Sequence, residues 1–588
     1  MVGNHNIVFS NCKGRFGTYN KITGQEQSYW VGGQYMYGRN PADLEYRFQR
    51  VAPIEVSPHD PNEVFHGSQY LHRSVNGGQT WVTISPDLTA FKPEFQMASG
   101  RPITRDITGE EHYSTIYSIE VSPLERSVIW TGANDGPVHV TRSRGEQWTD
   151  VTPSDMPPNG RVDAIQASHH QAGTAYIAMH RRLLDDWHPY IYKTEDYGES
   201  WELLTPGDNG LPDGYPTRVV REDPHREGLL YAGTDWGLFV SFNGGSSWQQ
   251  LKAGLPNSPI TDIKVHEKDL VLSTMGRGFW ILDNLSVLHQ ASAQIAGSER
   301  HLFKPREAYR MRYWGGFGNN VPQYRQAGAI IDFYLSEVPD EPLALEIFDE
   351  EDNLVRRFAA TSEDYSLPAG QQDPAKRMMT PEGPMPSIPD TFTVEAGHNR
   401  FVWDLRYPGD TVPAEEGGEY FGVGSGPMAL PGSYTVRLSG LGWSQEQPLR
   451  VRIDPRVAAE GVTMNDLRAQ LKHNMAMRET IGIANRMEDQ MERMRDRIDS
   501  LRTQGLMTDD EAEPLMEEWN RIYNELETSD EGSYPPPMLL DQLGYLYGLT
   551  SGADQHPGNQ APERHRQLRS ELDSLRGEWE ALREKFPY

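Results

Sequence analysis

Short alternating runs of apolar and polar residues recur along the first half of the chain. VAPIEVSPHDPNEVFHGSQYLHRS, IYSIEVSPLERSVIWTGANDGPVHVTRS, VDAIQASHHQAGTAYIAMH and TRVVREDPHREGLLYAGTDWGLFVS each hold such runs, separated by turn residues. A period of two predicts half-buried β-strands. After Asp283 the spacing changes. GAIIDFYLSE (328–337), LALEIFDEEDNLVRRFA (343–359), NRFVWDLRYPG (399–409) and GSYTVRLSG (432–440) alternate as strands among polar, turn-rich segments. They predict a β-sandwich over 300–456, with the Pro-, Gly- and Met-rich stretch 362–391 as an exposed loop. Beyond Pro455 the period becomes helical. Ala484, Met487, Met491, Met494, Ile498 and Leu501 form one apolar stripe, and Leu568, Leu572, Leu575, Trp579, Leu582 and Phe586 form another. Thr463, with Asp466 three residues on, marks a helix N-terminus. Further helices over 511–527 and 538–549 complete an α-helical bundle or hairpin over 460–588. The methionine stripe reads as core in preference to a binding groove.

One eight-residue pattern punctuates the first half. SVNGGQTW (74–81), TEDYGESW (194–201) and SFNGGSSW (241–248) share Ser/Thr-x-Asp/Asn-x-Gly-x-Ser/Thr-Trp, and SRGEQW ending at Trp148 is a degenerate copy. Each position has a physical task. Asn76, Asp196 and Asn243 are expected to bond backbone N–H groups of their own loop. Gly78, Gly198 and Gly245 supply a positive φ. Ser74, Thr194 and Ser241 open the loop, and Trp81, Trp201 and Trp248 bury a large ring against neighbouring strands. Four strands per repeat predict β-propeller blades. The fold class is therefore mainly β: a partial propeller of about five to six blades over 1–290, then the sandwich, then the helices. Residues 4–50 read as an incomplete first blade and 260–284 as a last one without the tryptophan loop. Strand alternation puts these loops on one face. The turns at 67–69, 134–136, 180–182, 235–237 and 275–277 then lie on the opposite, open face.

Charge and composition narrow the partners. Lys and Arg number 55 against 84 Asp and Glu, for a net charge of −29. A phosphate backbone would be repelled, which argues against nucleic acid. The single cysteine, Cys12, rules out an intrachain disulfide. No apolar run is long enough for a membrane-spanning helix. The first residues, MVGNHNIVFSNCKGRFGTYN, lack a signal-peptide pattern, so the chain taken literally stays in the cytoplasm. No HExxH, CxxC, P-loop or GxGxxG opening a helix is present, so neither metal nor cofactor is expected. The glycine-rich GGFGNN (315–320) reads as a loop, and His169-His170 as a surface turn.

The repeated loops, with HPYIYKTEDYGESW, LLYAGTDWGLFVSFNGGSSW and LVLSTMGRGFWILDN, resemble the bacterial BNR/Asp-box proteins of the glycosyl hydrolase or sortilin-like propeller group. NRFVWDLRYPG and LPGSYTVRLSG resemble the flagellar-hook-type sandwich of that group, and YPPPMLLDQLGYLYG its helical tail. The resemblance implies an exported, longer protein, with this chain its C-terminal portion and an upstream propeller half on a separate chain as a partner. It also implies a glycan or peptide ligand at the propeller mouth. Glycoside cleavage needs two carboxylates flanking the bond. Asp135 and Asp235, on open-face turns, are the candidate pair, with Trp236 as a stacking platform. Their competing reading is turn formation, because Asp before Gly is a common turn. Arg181, Arg182 and Arg277, with Arg161 on a neighbouring loop, are candidates for gripping a substrate carboxylate. Arg277 could alternatively pair with an acid across the mouth. The second hypothesis is a non-catalytic, peptide-binding or scaffolding propeller of sortilin type.

Overall fold

The computed structural model describes residues 6–98, 100, 102–104, 112–312, 325, 327–362, 390–409, 426–529 and 535–586. It divides into two compact units, Met1–Leu285 and Ser286–Tyr588. Apart from its ends, the loop expected over 362–391 lies outside the described residues, as does the glycine-rich 315–320. Among the described residues, no helix is long and apolar enough to cross a membrane.

The first unit is a succession of six antiparallel sheets. Sheet I has three strands, Ile7–Cys12, Arg15–Asn20 and Gln25–Trp30. Sheets II to V have four strands each and begin with the inner strands Ile54–Val56, Ile116–Val121, Arg161–Ala167 and Thr217–Glu222. Sheet VI has three strands and begins with Ile260–His266. From sheet II onward each inner strand packs on the next, the arrangement of propeller blades. Glu55 in sheet II lies in the electrostatic field of Lys264 in sheet VI.

The tryptophan loops are local devices with a long-range product. In each, the opening hydroxyl accepts from the glycine N–H: Ser74 from Gly78 at 2.8 Å, Thr194 from Gly198 at 2.9 Å and Ser241 from Gly245 at 2.9 Å. The acid or amide accepts from the residue before the tryptophan, Asn76 from Thr80 at 3.0 Å and Asp196 from Ser200 at 2.9 Å. Asn243 does the same for Ser247 at 2.9 Å. The glycines hold φ near +90°, which a side chain resists. The degenerate copy keeps the geometry, with Gly145 donating to Thr141 at 3.0 Å and Gln147 to Ser143 at 2.9 Å.

Each loop also fastens its sheet to the preceding one. Trp148, Trp201 and Trp248 donate their indole N–H groups to the carbonyls of Ile84, Val151 and Leu204 at 3.0, 2.7 and 3.2 Å. Those acceptors follow the outer strands of the sheet before. The same residues pack so tightly on Gly145, Gly198 and Gly245 that no Cβ would fit. The junction between sheets I and II breaks the rule. Phe16 fills the space over Gly78 and meets Trp81 edge-on at 5.2 Å. The Trp81 Nε1 is buried without a hydrogen-bond partner.

The second unit begins with two sheets. A three-stranded sheet runs in the order Arg300–Leu302, Ala329–Leu335, Gly397–Trp403. A six-stranded sheet runs Ala308–Arg310, Trp443–Ile453, Gly432–Gly440, Leu343–Phe348, Leu354–Thr361, Asp390–Thr393. Phe333 and Trp403 of one share an apolar cluster with Leu345, Val436 and Leu449 of the other. Helices Met464–Thr503, Asp509–Leu526, Leu539–Ser551 and Gln560–Lys585 follow. Thr463 and Asp466 form the reciprocal cap that starts the longest. Met487, Met491 and Met494 are buried with Trp519, Leu572 and Trp579, so the methionine stripe is core. Arg310 and Arg312 both reach Asp554 at 2.8 Å and tie the sheets to the helices.

Candidate functional site

Four inner strands carry the same irregularity. Pairing slips between Ile116 and Ser118, between Val162 and Ala164, between Thr217 and Val219, and between Ile260 and Asp262. Each slip leaves one extra residue: Tyr117, Asp163, Arg218 and Thr261. A bulge bends its strand and re-aims the extra side chain. These four therefore occupy one equivalent position, at the open-face end of successive sheets.

Three of them are electrostatically joined. The Arg161 guanidinium lies 4.3 Å from the Tyr117 ring centre and donates to Asp163 at 3.2 Å. His180 Nε2 lies 3.1 Å from the same Asp163 oxygen, Oδ2. Arg218 and Arg182 both donate to Asp235, Arg182 at 3.2 Å. In sheet V the bulged Arg218 thus pairs with Asp235 just past the second strand, and in sheet IV the bulged Asp163 pairs with His180 near the end of the second strand. Burial raises the Tyr117 hydroxyl's pKa, and the fields of Arg161, Asp163 and Arg218 reach it. Burial also opposes ionisation of Asp163, but the His180 hydrogen bond and the Arg161 charge outweigh it and hold the carboxyl below its usual range. Three arginines face two carboxylates here, so this cluster is net positive in a strongly acidic chain. Arg218 Nη2 and Arg182 Nε are buried without hydrogen-bond partners among the described residues.

The structure separates the carboxylates proposed as a pair. Asp235 is buried and doubly held by arginines. Asp135 is buried in sheet III, two sheets away, where it accepts from the Ala90 N–H at 3.1 Å. Burial raises its pKa, against hydrogen bonds from Ser114 and Ala90. The two are also not register equivalents. The Asp235 N–H donates to Pro216 and the Asn134 N–H to Thr115, so Asn134 is the counterpart of Asp235. Trp236 is 44% exposed, with its indole N–H on the Gly214 carbonyl at 3.2 Å. Arg181 pairs with Asp186 and donates to Pro158. Arg277 is exposed and makes no ion pair among the described residues. Arg161, expected on a loop, opens an inner strand. Leu183, Leu184, Trp187, Met275 and Phe279 add exposed apolar surface to the open-face connections.

Sequence reading missed Tyr117, Asp163, His180 and Arg218. Aligning STIYSIEVS, GRVDAIQAS, PTRVVRED and PITDIKVH would have put Tyr117, Asp163, Arg218 and Thr261 in one column, but nothing in that column announces a bulge. A second column holds Glu55, Glu120, Gln166, Arg221 and Lys264, at one register in sheets II to VI. These long side chains cover the unpaired inner edges. Arg221 donates to the Ile165 and Ile263 carbonyls at 3.2 and 3.0 Å. Glu120 accepts from the Ala167 N–H at 3.4 Å. Burial, then the neighbouring Glu55 charge, pushes Glu120 up to about 8. Among the described residues, no three His, Cys, Asp or Glu side chains gather as a metal ion would need.

No family model matches the chain, and no curated protein matches it. Among solved structures it is similar to the GH74 xyloglucanase of Xanthomonas campestris, at 14% identity and a TM-score of 0.35, covering 56% of this chain and 49% of that one. It is similar to PorZ, a surface component of the type-IX secretion system of Porphyromonas gingivalis, at 12% identity and 0.35, covering 76% and 58%. It is also similar to YCF48 from Cyanidioschyzon merolae, at 13% and 0.31, covering 47% and 83%. All three are β-propeller proteins. The chain spans about half the length of the xyloglucanase. At these identities and scores the likeness carries no argument about activity.

Proposed function

We propose that the first unit is an Asp-box recognition propeller whose mouth binds an acidic polypeptide segment flanked by apolar residues. In this reading sheets II to VI form the ring, and the two sheets of the second unit form an accessory β-sandwich of an exported protein. The observation that carries it is the set of bulges aiming Tyr117, Asp163 and Arg218 at one net-positive centre. Arginine forks suit carboxylates, and exposed tryptophans beside arginines have the composition of binding hot spots. The apolar rim at Trp187, Trp236 and Phe279 supplies the contact area.

The test is fluorescence anisotropy of a short-peptide library, with and without Asp and Glu, at low and high salt. Acidic, aromatic-flanked peptides should bind and weaken with salt. Arg161→Gln and Trp236→Ala should each reduce affinity about tenfold or more. Glycan processing is the competing reading. It requires two free carboxylates, whereas Asp135 and Asp235 are engaged by other groups. Sugar release that disappears in Asp135→Asn, Asp235→Asn would overturn the proposal.

A further inference from the structure

We infer that the face of sheet I turned toward sheet II is a second binding site, separate from the mouth, for a neutral oligosaccharide. The register fixes which side chains share that face. Ile7 stands opposite Asn20, which stands opposite Gln25. Phe9 stands opposite Thr18, which stands opposite Gln27. The next row, toward the sheet's other end, holds Phe16 and Tyr29. The charged residues Arg15 and Glu26 fall on the reverse face, where they pair at 3.8 Å. A cavity of about 560 Å³ lies between this face and the loops of sheet II that carry Asn62 and Gln79. That volume is within the range of small-molecule sites.

Among the described residues, none that lines the cavity is charged, in a chain where 24% of residues are. The cavity is also where the packing rule of the other junctions fails. Elsewhere Ile84, Val151 and Leu204 close the space beneath the tryptophan loop. Here, among the described residues, Phe16 alone reaches over Gly78, and the rows beyond it line the cavity. The side-chain amides of Gln25, Asn62 and Gln79 make no hydrogen bond among the described residues, and Gln27 accepts only from Tyr29 at 3.2 Å.

Each free amide offers two donors and an acceptor. That combination matches vicinal hydroxyls, which both donate and accept. Phe9 and Tyr29 supply aromatic surface for the carbon-bound face of a sugar ring. A charged ligand would find no counter-ion here, and a purely apolar one would strand the amides. The two sites therefore divide by chemistry: acidic ligand at the mouth, neutral hydroxylated ligand on sheet I.

The experiment is calorimetric titration of the full chain with cellohexaose, mannohexaose, xylohexaose and a polygalacturonate oligomer, at low and high salt. At least one neutral oligomer should bind with salt-independent affinity. Gln25→Ala, Gln27→Ala, both exposed, should weaken it about tenfold with unchanged melting. Tyr29→Ala should weaken it in the same direction, and Trp236→Ala should leave it unchanged. The inference is overturned if no neutral oligomer binds at millimolar concentration. It also fails if polygalacturonate is preferred, if binding survives the glutamine and tyrosine changes, or if it is lost with Trp236.

Discussion

The two faces of the first unit use repetition in opposite ways. On one, the tryptophan loops of sheets IV and V repeat the same three bonds: a hydroxyl accepts from the glycine N–H, an acid or amide from the penultimate N–H, and the indole donates to the preceding sheet's carbonyl. On the other, the bulges repeat the geometry and change the residue, from Tyr117 to Asp163 to Arg218 to Thr261. A device that only has to hold can be copied unchanged. A surface that has to discriminate needs different chemistry at equivalent places. In the proposed reading, repeated geometry with varied side chains marks the recognition face, and the repeated loops mark the scaffold.

Four substitutions sharpen that contrast. The largest effect is expected at the scaffold. Trp248 is almost fully buried, and Trp248→Ala should cost about 3–5 kcal/mol, read as a lower urea midpoint. Next, Ser241→Ala removes the acceptor for the Gly245 N–H and should cost about 1–3 kcal/mol by the same measurement. If either left the midpoint unmoved, the loops would not be fasteners.

The third acts between the faces. The pKa of Glu120 is raised in the fold, so between its unfolded value and about 8 the folded state binds the extra proton. Stability then falls as pH rises through that window. Glu120→Gln should flatten the fall, raising the melting temperature by roughly a few degrees at alkaline pH and changing little near pH 4. Equal shifts at both pH values would discount burial of the charge. The smallest stability effect belongs to the mouth. Trp236→Ala should stay within about 0.5 kcal/mol of the parent while abolishing most peptide affinity. A large loss of stability there would make Trp236 a scaffold residue.

What could be read from the sequence divides along the same line. The tryptophan loops were legible because their bonds close within eight consecutive residues, and the chemistry of Asn76 or Gly198 is fixed by its neighbours in the chain. The methionine stripe and the Thr463 cap were legible for the same local reason. The cluster at Tyr117, Asp163 and Arg218 was not, because it depends on where three separate strand pairings slip by one residue. Asp135 and Asp235 looked alike in sequence, since both precede or adjoin a turn glycine. The backbone register puts them one place apart, and their partners differ: the Ala90 N–H and the Ser114 hydroxyl for one, two guanidinium groups for the other.

The indole fasteners also have a direction. Each of Trp148, Trp201 and Trp248 reaches back to a carbonyl earlier in the chain. During synthesis from the N-terminus, the acceptor is therefore always made before its donor. Sheets III, IV and V can each latch onto a neighbour that is already complete, and their assembly need not wait for the end of translation. The acidic nascent chain would then expose one unsealed sheet edge at a time, rather than several at once.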